Sequence, residues 1–252
     1  MGVVIGSTKA LDCKDTRISE RRHALDSMMA DVILQYVAGQ RVLDLGHSNP
    51  DLAKWVSERS HHQLTIVDRK QLIHQEHRFK LPKFQAGCFD VIYGLRVFSH
   101  FGVDQQSSER QAREILEELS TCLAAGGTLL LQFDNPQSLR GISVGVRNAA
   151  KVMTGSVITD DENWGVTRWD TLQRFVRLLP NRLELIDLHA IGLFTTATNV
   201  PPTPILSRMV HFLEWKLRDS AIMRHFGGET LAVIRKLHHP RPMQTGQLQE
   251  AE

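Results

Sequence analysis

The chain has 252 residues, enough to bury one sizeable core and leaving little for a second independent domain. Its 30 Lys and Arg nearly balance its 28 Asp and Glu, giving a formal charge of +2, so no global field directs it to nucleic acid and no such partner is expected. Cys13, Cys88 and Cys122 lie far apart and outside any CxxC pattern, which argues against a disulfide framework or a zinc site and fits a reducing cytoplasm.

The opening MGVVIGSTKALDCKD lacks a charged leader before a long apolar run, which argues against a secretory signal. No later window approaches the roughly 20 apolar residues of a spanning helix. The first predicted helix runs from Arg21 to Ala38, where Leu25, Met28, Met29, Val32, Ile33 and Tyr36 recur at three- and four-residue steps. Gly39 ends it, and Arg41 to Leu45 reads as a buried parallel strand. Asn49 can then cap a helix that has Pro50 in its first position and continues to about Arg59. Leu64 to Val67, closed by Asp68, and Phe89 to Tyr93 are the next strands, as βαβ units require.

A helix from Glu109 to Leu123 carries Ile115, Leu116, Leu119 and Leu123 on one stripe, and Ala125-Gly126-Gly127 separates it from the strand Thr128 to Phe133. Asn135 to Asn163 is long and polar and reads as a partly helical cap. Thr167, as a cap, opens a helix to Leu178; Leu183 to Leu188 is a strand; Leu206, Met209, Val210, Leu213 and Leu217 form a helical stripe; and Thr230 to Arg235 is the last strand. A Pro- and Gln-rich tail follows from His238 and reads as disordered. The alternation predicts a Rossmann-like, doubly wound α/β fold: a seven-stranded, mostly parallel sheet with helices on both faces and a helical cap. Residues 1–237 form one domain in this reading, with cap insertions at 136–165 and 190–228.

Chemistry is expected where the first strand, its loop and the next helix start meet, because backbone N–H groups and a positive dipole end point at the carboxyl edge of the sheet. A dinucleotide fingerprint would need glycines at 46, 48 and 51, yet Ser48 and Asp51 fill two of those places, so a nicotinamide cofactor is disfavoured. Asp68, at the end of the second strand and 22 residues beyond Gly46, can accept both ribose hydroxyls of an adenosine; a helix cap or surface turn is its alternative role.

Four segments, in order, carry a family resemblance: Val42-Leu43-Asp44-Leu45-Gly46, Ile66-Val67-Asp68, Leu81-Pro82 with Cys88 to Tyr93, and Cys122 to Leu129. They resemble the successive motifs of class I S-adenosylmethionine (SAM) dependent methyltransferases of the type 11, UbiE-like group, with a degenerate glycine loop. The resemblance implies that Asp44 and Gly46 sit beside the methionine part of SAM, with Ser48 in the same cofactor loop; His47 touches cofactor or acceptor, or merely fills the loop. It further implies that Asp68 binds the ribose, with Arg69 also in the cofactor site, that His77 to Phe79 border the adenine, and that Gly94 and Leu95 face the sulfonium. The family usually has glycine where this chain has Ser48 and often another where it has Pro50, positions at which backbone approaches the cofactor closely. His100, just past the Phe89 to Tyr93 strand, is the candidate catalytic base for a hydroxyl acceptor; capping or packing is the alternative for a loop histidine.

The implied activity is methyl transfer to a hydroxyl of a small-molecule, glycan or lipid-linked acceptor. Its alternative is a catalytically inactive methyltransferase-like subunit with a structural or regulatory role, beside a protein partner or a second copy of itself. The Leu206 to Arg218 stripe suits either a core face or a peripheral membrane contact. Trp164 and Trp169 suit either the wall of an acceptor pocket or anchors for the cap. His61-His62 and His238-His239 lack further ligands at sensible spacing, and no metal is expected.

Overall fold

The computed structural model describes residues 25–46, 50–68, 72–74, 78–102, 104–138, 157–161, 165–194, 204–220, 223 and 226–238. Helix α1 covers residues 25–33, and its Leu25, Met28, Met29, Val32 and Ile33 are buried on the predicted stripe. It ends before the expected Ala38 because Gln35 and Tyr36 donate to Val32 and Ile33, tightening the last turn to three-residue steps. Strand β1 (Val42–Gly46), helix α2 (Pro50–Arg59) and strand β2 (Leu64–Asp68) follow as the expected βαβ unit. The short strands β3 (Ile73–His74) and β4 (Arg78–Phe79) pair with each other and stand outside the main sheet.

Strand β5 (Phe89–Gly94) leads to helix α3 (Gln105–Cys122), which starts four residues before the expected Glu109. The reason is a capping box: Asp104 accepts from the Ser107 N–H while the Ser107 hydroxyl accepts from the Asp104 N–H. Strand β6 (Leu123–Asp134) begins directly where α3 ends, and the Ala125-Gly126-Gly127 segment interrupts its pairing as a bulge: Gly126 has a φ of +75°, and the register with β5 jumps from Phe89 opposite Leu123 to Val91 opposite Thr128. Strands β7 (Val157–Asp161) and β8 (Gly165–Trp169) form an antiparallel ribbon. Of the segment expected to be partly helical, the described residues 135–138 form a turn and Val157–Asp161 are strand.

Thr167 lies within β8 and caps nothing; the cap of helix α4 (Leu172–Leu178) is Thr171, whose hydroxyl accepts from the Arg174 N–H. Strand β9 (Leu183–Ile191), helix α5 (Pro204–Leu217) and strand β10 (Glu229–Lys236) complete the order, each within a few residues of expectation. The residues beyond His238, including the expected disordered tail, lie outside the described part.

The main sheet runs β2-β1-β5-β6-β10-β9, with the β7-β8 ribbon joined to β6 through Asp134 and Trp169. Pairs β1-β2, β1-β5 and β5-β6 are parallel, whereas β10 runs antiparallel to both β6 and β9. This is the Rossmann-like, mixed α/β class expected from the alternating elements. Leu43, Leu45, Ile92, Leu129 and Leu131 face α3 and α4 on one side, and Val42, Val91, Tyr93, Leu130 and Val233 face α1 and α2 on the other. The central strands are covered on both faces, which is why they read as continuous apolar runs.

At the opposite end from the parallel strand tips, the Arg41 guanidinium donates to Asp90 from Nε at 2.9 Å and Nη2 at 2.7 Å, and the Arg41 N–H adds a third bond at 3.0 Å. These bonds, against a smaller opposing effect of burial, hold the Asp90 carboxyl below the usual aspartate range. A depressed carboxyl stabilises fully above its unfolded value and loses that contribution as pH falls through its folded value. Asp90→Asn should therefore flatten the acid limb of stability below about pH 4, measured as the urea midpoint against pH. Superimposable limbs for the two proteins would contradict it.

Candidate active site

Because β1, β2, β5 and β6 run parallel, their carboxyl ends reach one edge of the sheet. The register sets Gly46 opposite Asp68 and Leu45 opposite Gly94, with Gly94 opposite Leu131. Asp68 is exposed at the tip of the edge strand β2. Gly46 has a φ of +104°, and a Cβ there would stand 2.4 Å from Val97 Cγ2. Both backbone conformation and space thus require glycine at the first loop position. A Cβ at Gly94 would meet Leu131 Cδ2 at 3.2 Å, so the neighbouring tip also has little space for a side chain.

Other residues of the predicted site lie beneath this edge. Asp44 is fully buried, in register with Tyr93 on the face covered by α1. Burial pushes the Tyr93 phenol well above its ordinary value, and the adjacent Asp44 carboxylate pushes it further. Leu95 is buried in the same core. The Phe79 ring packs 5.9 Å from Phe101 beside α3, and its N–H donates to Gln111 Oε1 at 3.1 Å. His47, Ser48, Arg69 and His77 lie outside the described residues.

Just past β5, Arg96 adopts a φ of +56° and turns its guanidinium inward. It pairs with Asp26 of α1 and approaches Glu229 of β10 at 3.9 Å. Gln132 of β6 links the two ends, accepting from the Arg96 N–H at 3.1 Å and donating to Glu229 Oε2 at 3.0 Å. Burial alone would lower Arg96, but the charges of Glu229, Asp26 and Asp134 outweigh it and keep the guanidinium ionised. Sequence periodicity did not single out this network. Its trace was Gln132 interrupting the Leu129-Leu130-Leu131 run and Glu229 opening an apolar strand.

His100 lies beside the start of the β7-β8 attachment, nearly buried, with Nδ1 3.2 Å from Thr167 Oγ1. The Arg168 N–H donates to Ser99 O at 2.8 Å, fixing β8 against the His100 segment. The buried Arg168 guanidinium donates to Asp170 Oδ2 at 2.6 Å and Ser108 O at 3.0 Å, and lies 4.9 Å from the Phe98 ring centroid. Its Nη2 makes no hydrogen bond, and the guanidinium also lies 5.5 Å from the Phe101 ring centroid. Trp169 is buried, which suits an anchor better than an open wall, and Trp164 lies outside the described residues.

The sheet thus brings Gly46, Asp68 and Gly94 to one edge, sets Asp44 and Leu95 below it, and anchors His100 further along against β8. An exposed carboxylate beside bare backbone can accept hydrogen bonds from a diol, and a buried imidazole can accept a proton. Among the described residues no group of His, Cys, Asp and Glu could hold a metal ion.

No protein-family model matches the chain, and no curated protein does. Among solved structures, a SAM-dependent methyltransferase of Thermotoga maritima aligns with 88% of this chain and 94% of its own, at 12% identity and a TM-score of 0.51. The 1,6-didemethyltoxoflavin-N1-methyltransferase of Burkholderia thailandensis aligns with 86% and 78%, at 12% identity and a TM-score of 0.48. A SAM-dependent methyltransferase of Mesorhizobium loti aligns with 86% and 100%, at 12% identity and a TM-score of 0.46. The first likeness shows a shared fold.

Gly46→Ala should destabilise the protein by about 2 kcal/mol, from left-handed strain and the collision with Val97. Adding Val97→Ala should recover the steric part, measured by urea unfolding. Strictly additive losses in the double variant would refute the close packing between these residues.

Proposed function

We propose that this chain is a SAM-dependent methyltransferase acting on a hydroxyl of a small-molecule, glycan or lipid-linked acceptor. The observation that carries the reading is the register of Gly46 with Asp68: side-chain-free backbone beside an exposed carboxylate at the end of parallel strands. The shared fold with a SAM-dependent methyltransferase at a TM-score of 0.51 supports it. The Asp68 carboxylate suits the ribose of that cofactor, and Gly46 stands in register with it, on the methionine side in this reading. When bound, SAM supplies an electrophilic methyl group on a sulfonium.

Asp68 accepts the ribose hydroxyls through its two oxygens. Gly46 and Gly94 keep the strand tips free of side chains, the space of a Cβ being taken by Val97 at the first and by Leu131 and Leu45 at the second. Asp44, buried beside Tyr93, orders the strand tips from below rather than touching the ligand. The segments holding His47, Ser48, Arg69 and His77 complete the cofactor site in this reading. When His100 Nδ1–H donates to Thr167 Oγ1, Nε2 carries the lone pair that removes the acceptor's proton. Positioning and exclusion of water supply the rest of the catalysis.

One observation favours a second reading, a catalytically inactive subunit with a structural or regulatory role. Val97 is packed directly over Gly46, narrowing the edge at the point where a cofactor must approach.

SAM and S-adenosylhomocysteine should each raise the thermal midpoint of the purified chain; a ligand at a hundredfold its dissociation constant adds about 2.7 kcal/mol of stability. Asp68→Ala should weaken SAM at least tenfold by calorimetry while leaving the fold unchanged, since the side chain is exposed. Binding without turnover across acceptors would leave a ligand-holding but inactive subunit. No stabilisation by either ligand would remove the cofactor assignment altogether.

A further inference from the structure

A helix on a protein surface ordinarily turns its apolar side inward and its charges outward. Helix α5 departs from this over its described side chains, burying the carboxylate of Glu214 while several large apolar side chains are exposed. Glu214, only 1% exposed, accepts from the Phe194 N–H at 2.8 Å. Arg218, immediately after the helix, is also buried: its Nη1 donates to Asp31 Oδ2 at 3.0 Å and its Nε to Asp219 Oδ1 at 3.0 Å. His189 Nδ1 meets that same Asp219 oxygen at 2.7 Å. These contacts tie the polar side of α5 to α1 and β9.

Facing outward are Met209 at 56% exposure and Phe212 at 60%, with Leu213, Trp215 and Lys216 also exposed. Met209, Phe212, Leu213 and Lys216 stand three and four residues apart and so share one strip of the helix. The Lys216 ammonium lies 5.7 Å from the Phe212 ring centroid. Leaving four large apolar side chains in water is unfavourable, whereas the hydrogen bond of buried Glu214 with the Phe194 N–H and the ion pairs of buried Arg218 with Asp31 and Asp219 hold the helix in that orientation.

We propose that this outward face of α5 docks on the surface of an anionic lipid bilayer, with the helix axis in the plane of the interface. Among its described side chains the strip carries a cation and no carboxylate, because Glu214 is turned inward. That charge pattern complements anionic headgroups, while Phe212, Leu213 and Met209 enter the acyl boundary and Trp215 occupies the headgroup layer. A two-fold contact with a second copy would face one Lys216-bearing strip with another and offer neither cation a carboxylate from the strip. The 14 residues of α5 extend about 21 Å, too short to cross a hydrocarbon core, and no described helix is long and apolar enough to span. The surface is independent of the methyl-transfer reading and would serve an active or an inactive chain.

Sedimentation of the full chain with vesicles of phosphatidylcholine, with and without phosphatidylglycerol, tests the proposal. Binding should require phosphatidylglycerol at physiological salt and weaken as salt rises. Lys216→Glu should lower the partition coefficient about thirtyfold, the effect of reversing one charge near such a surface. Phe212→Ala should lower it about tenfold or more by removing buried apolar area. Because both side chains are exposed, circular dichroism and the thermal midpoint should be unchanged, which separates lost docking from lost folding. Failure of the wild-type chain to bind the anionic vesicles would overturn the proposal. So would equal binding by both variants, or a stable homodimer in light scattering that Phe212→Asp dissociates.

Discussion

The candidate site depends on how Arg96 is held. One buried guanidinium joins α1 through Asp26 and β10 through Glu229, while Gln132 carries its backbone N–H and Glu229 together from β6. Breaking a buried pair by removing one partner leaves the other charge uncompensated and costs about 3–5 kcal/mol in comparable cases. The left-handed turn at Arg96 is therefore enforced by elements far apart in the chain. That turn immediately precedes Val97, whose methyl group packs on Gly46. The shape of the edge above β1 is thus set from the far side of the sheet.

The buried Arg218, with partly exposed carboxylates around it, performs a similar task at α5. Asp31 of α1 and Asp219 after α5 both accept from Arg218, and His189 of β9 adds a further contact to Asp219. Burial pushes the Asp219 carboxyl up, but its bonds with Arg218 and His189 more than reverse this and hold it below the usual range. The polar contacts determine which side of the helix faces water, and so which surface is available to a partner.

Much of the fold was legible because central parallel strands and their covering helices have strong local signatures. Val42 to Leu45, Phe89 to Tyr93 and Leu129 to Leu131 are short apolar runs because both faces are buried, and α3 announced its stripe through Ile115, Leu116 and Leu119. Boundaries were less legible where a side chain makes the decision. Asp104 and Ser107 extend α3 backward by a capping box, and Thr167 joins a strand although its hydroxyl would suit a helix cap equally well. Of the candidate site, Gly46 and Asp68 were visible as a glycine and an acid closing successive strands. Their adjacency required the register.

By itself the sequence determined the layer order, the central strands and the two residue types at their tips, because hydrophobic periodicity and strand-ending glycine or acid are local properties. Only the tertiary structure decided that Asp44 lies under the edge with Tyr93, that Arg96 gathers Asp26 and Glu229, and that α5 shows its apolar side to water. Each is a balance between burial and a charge partner contributed by another element. Such a balance has no period along the chain, since its partners meet only when the sheet and its helices have assembled.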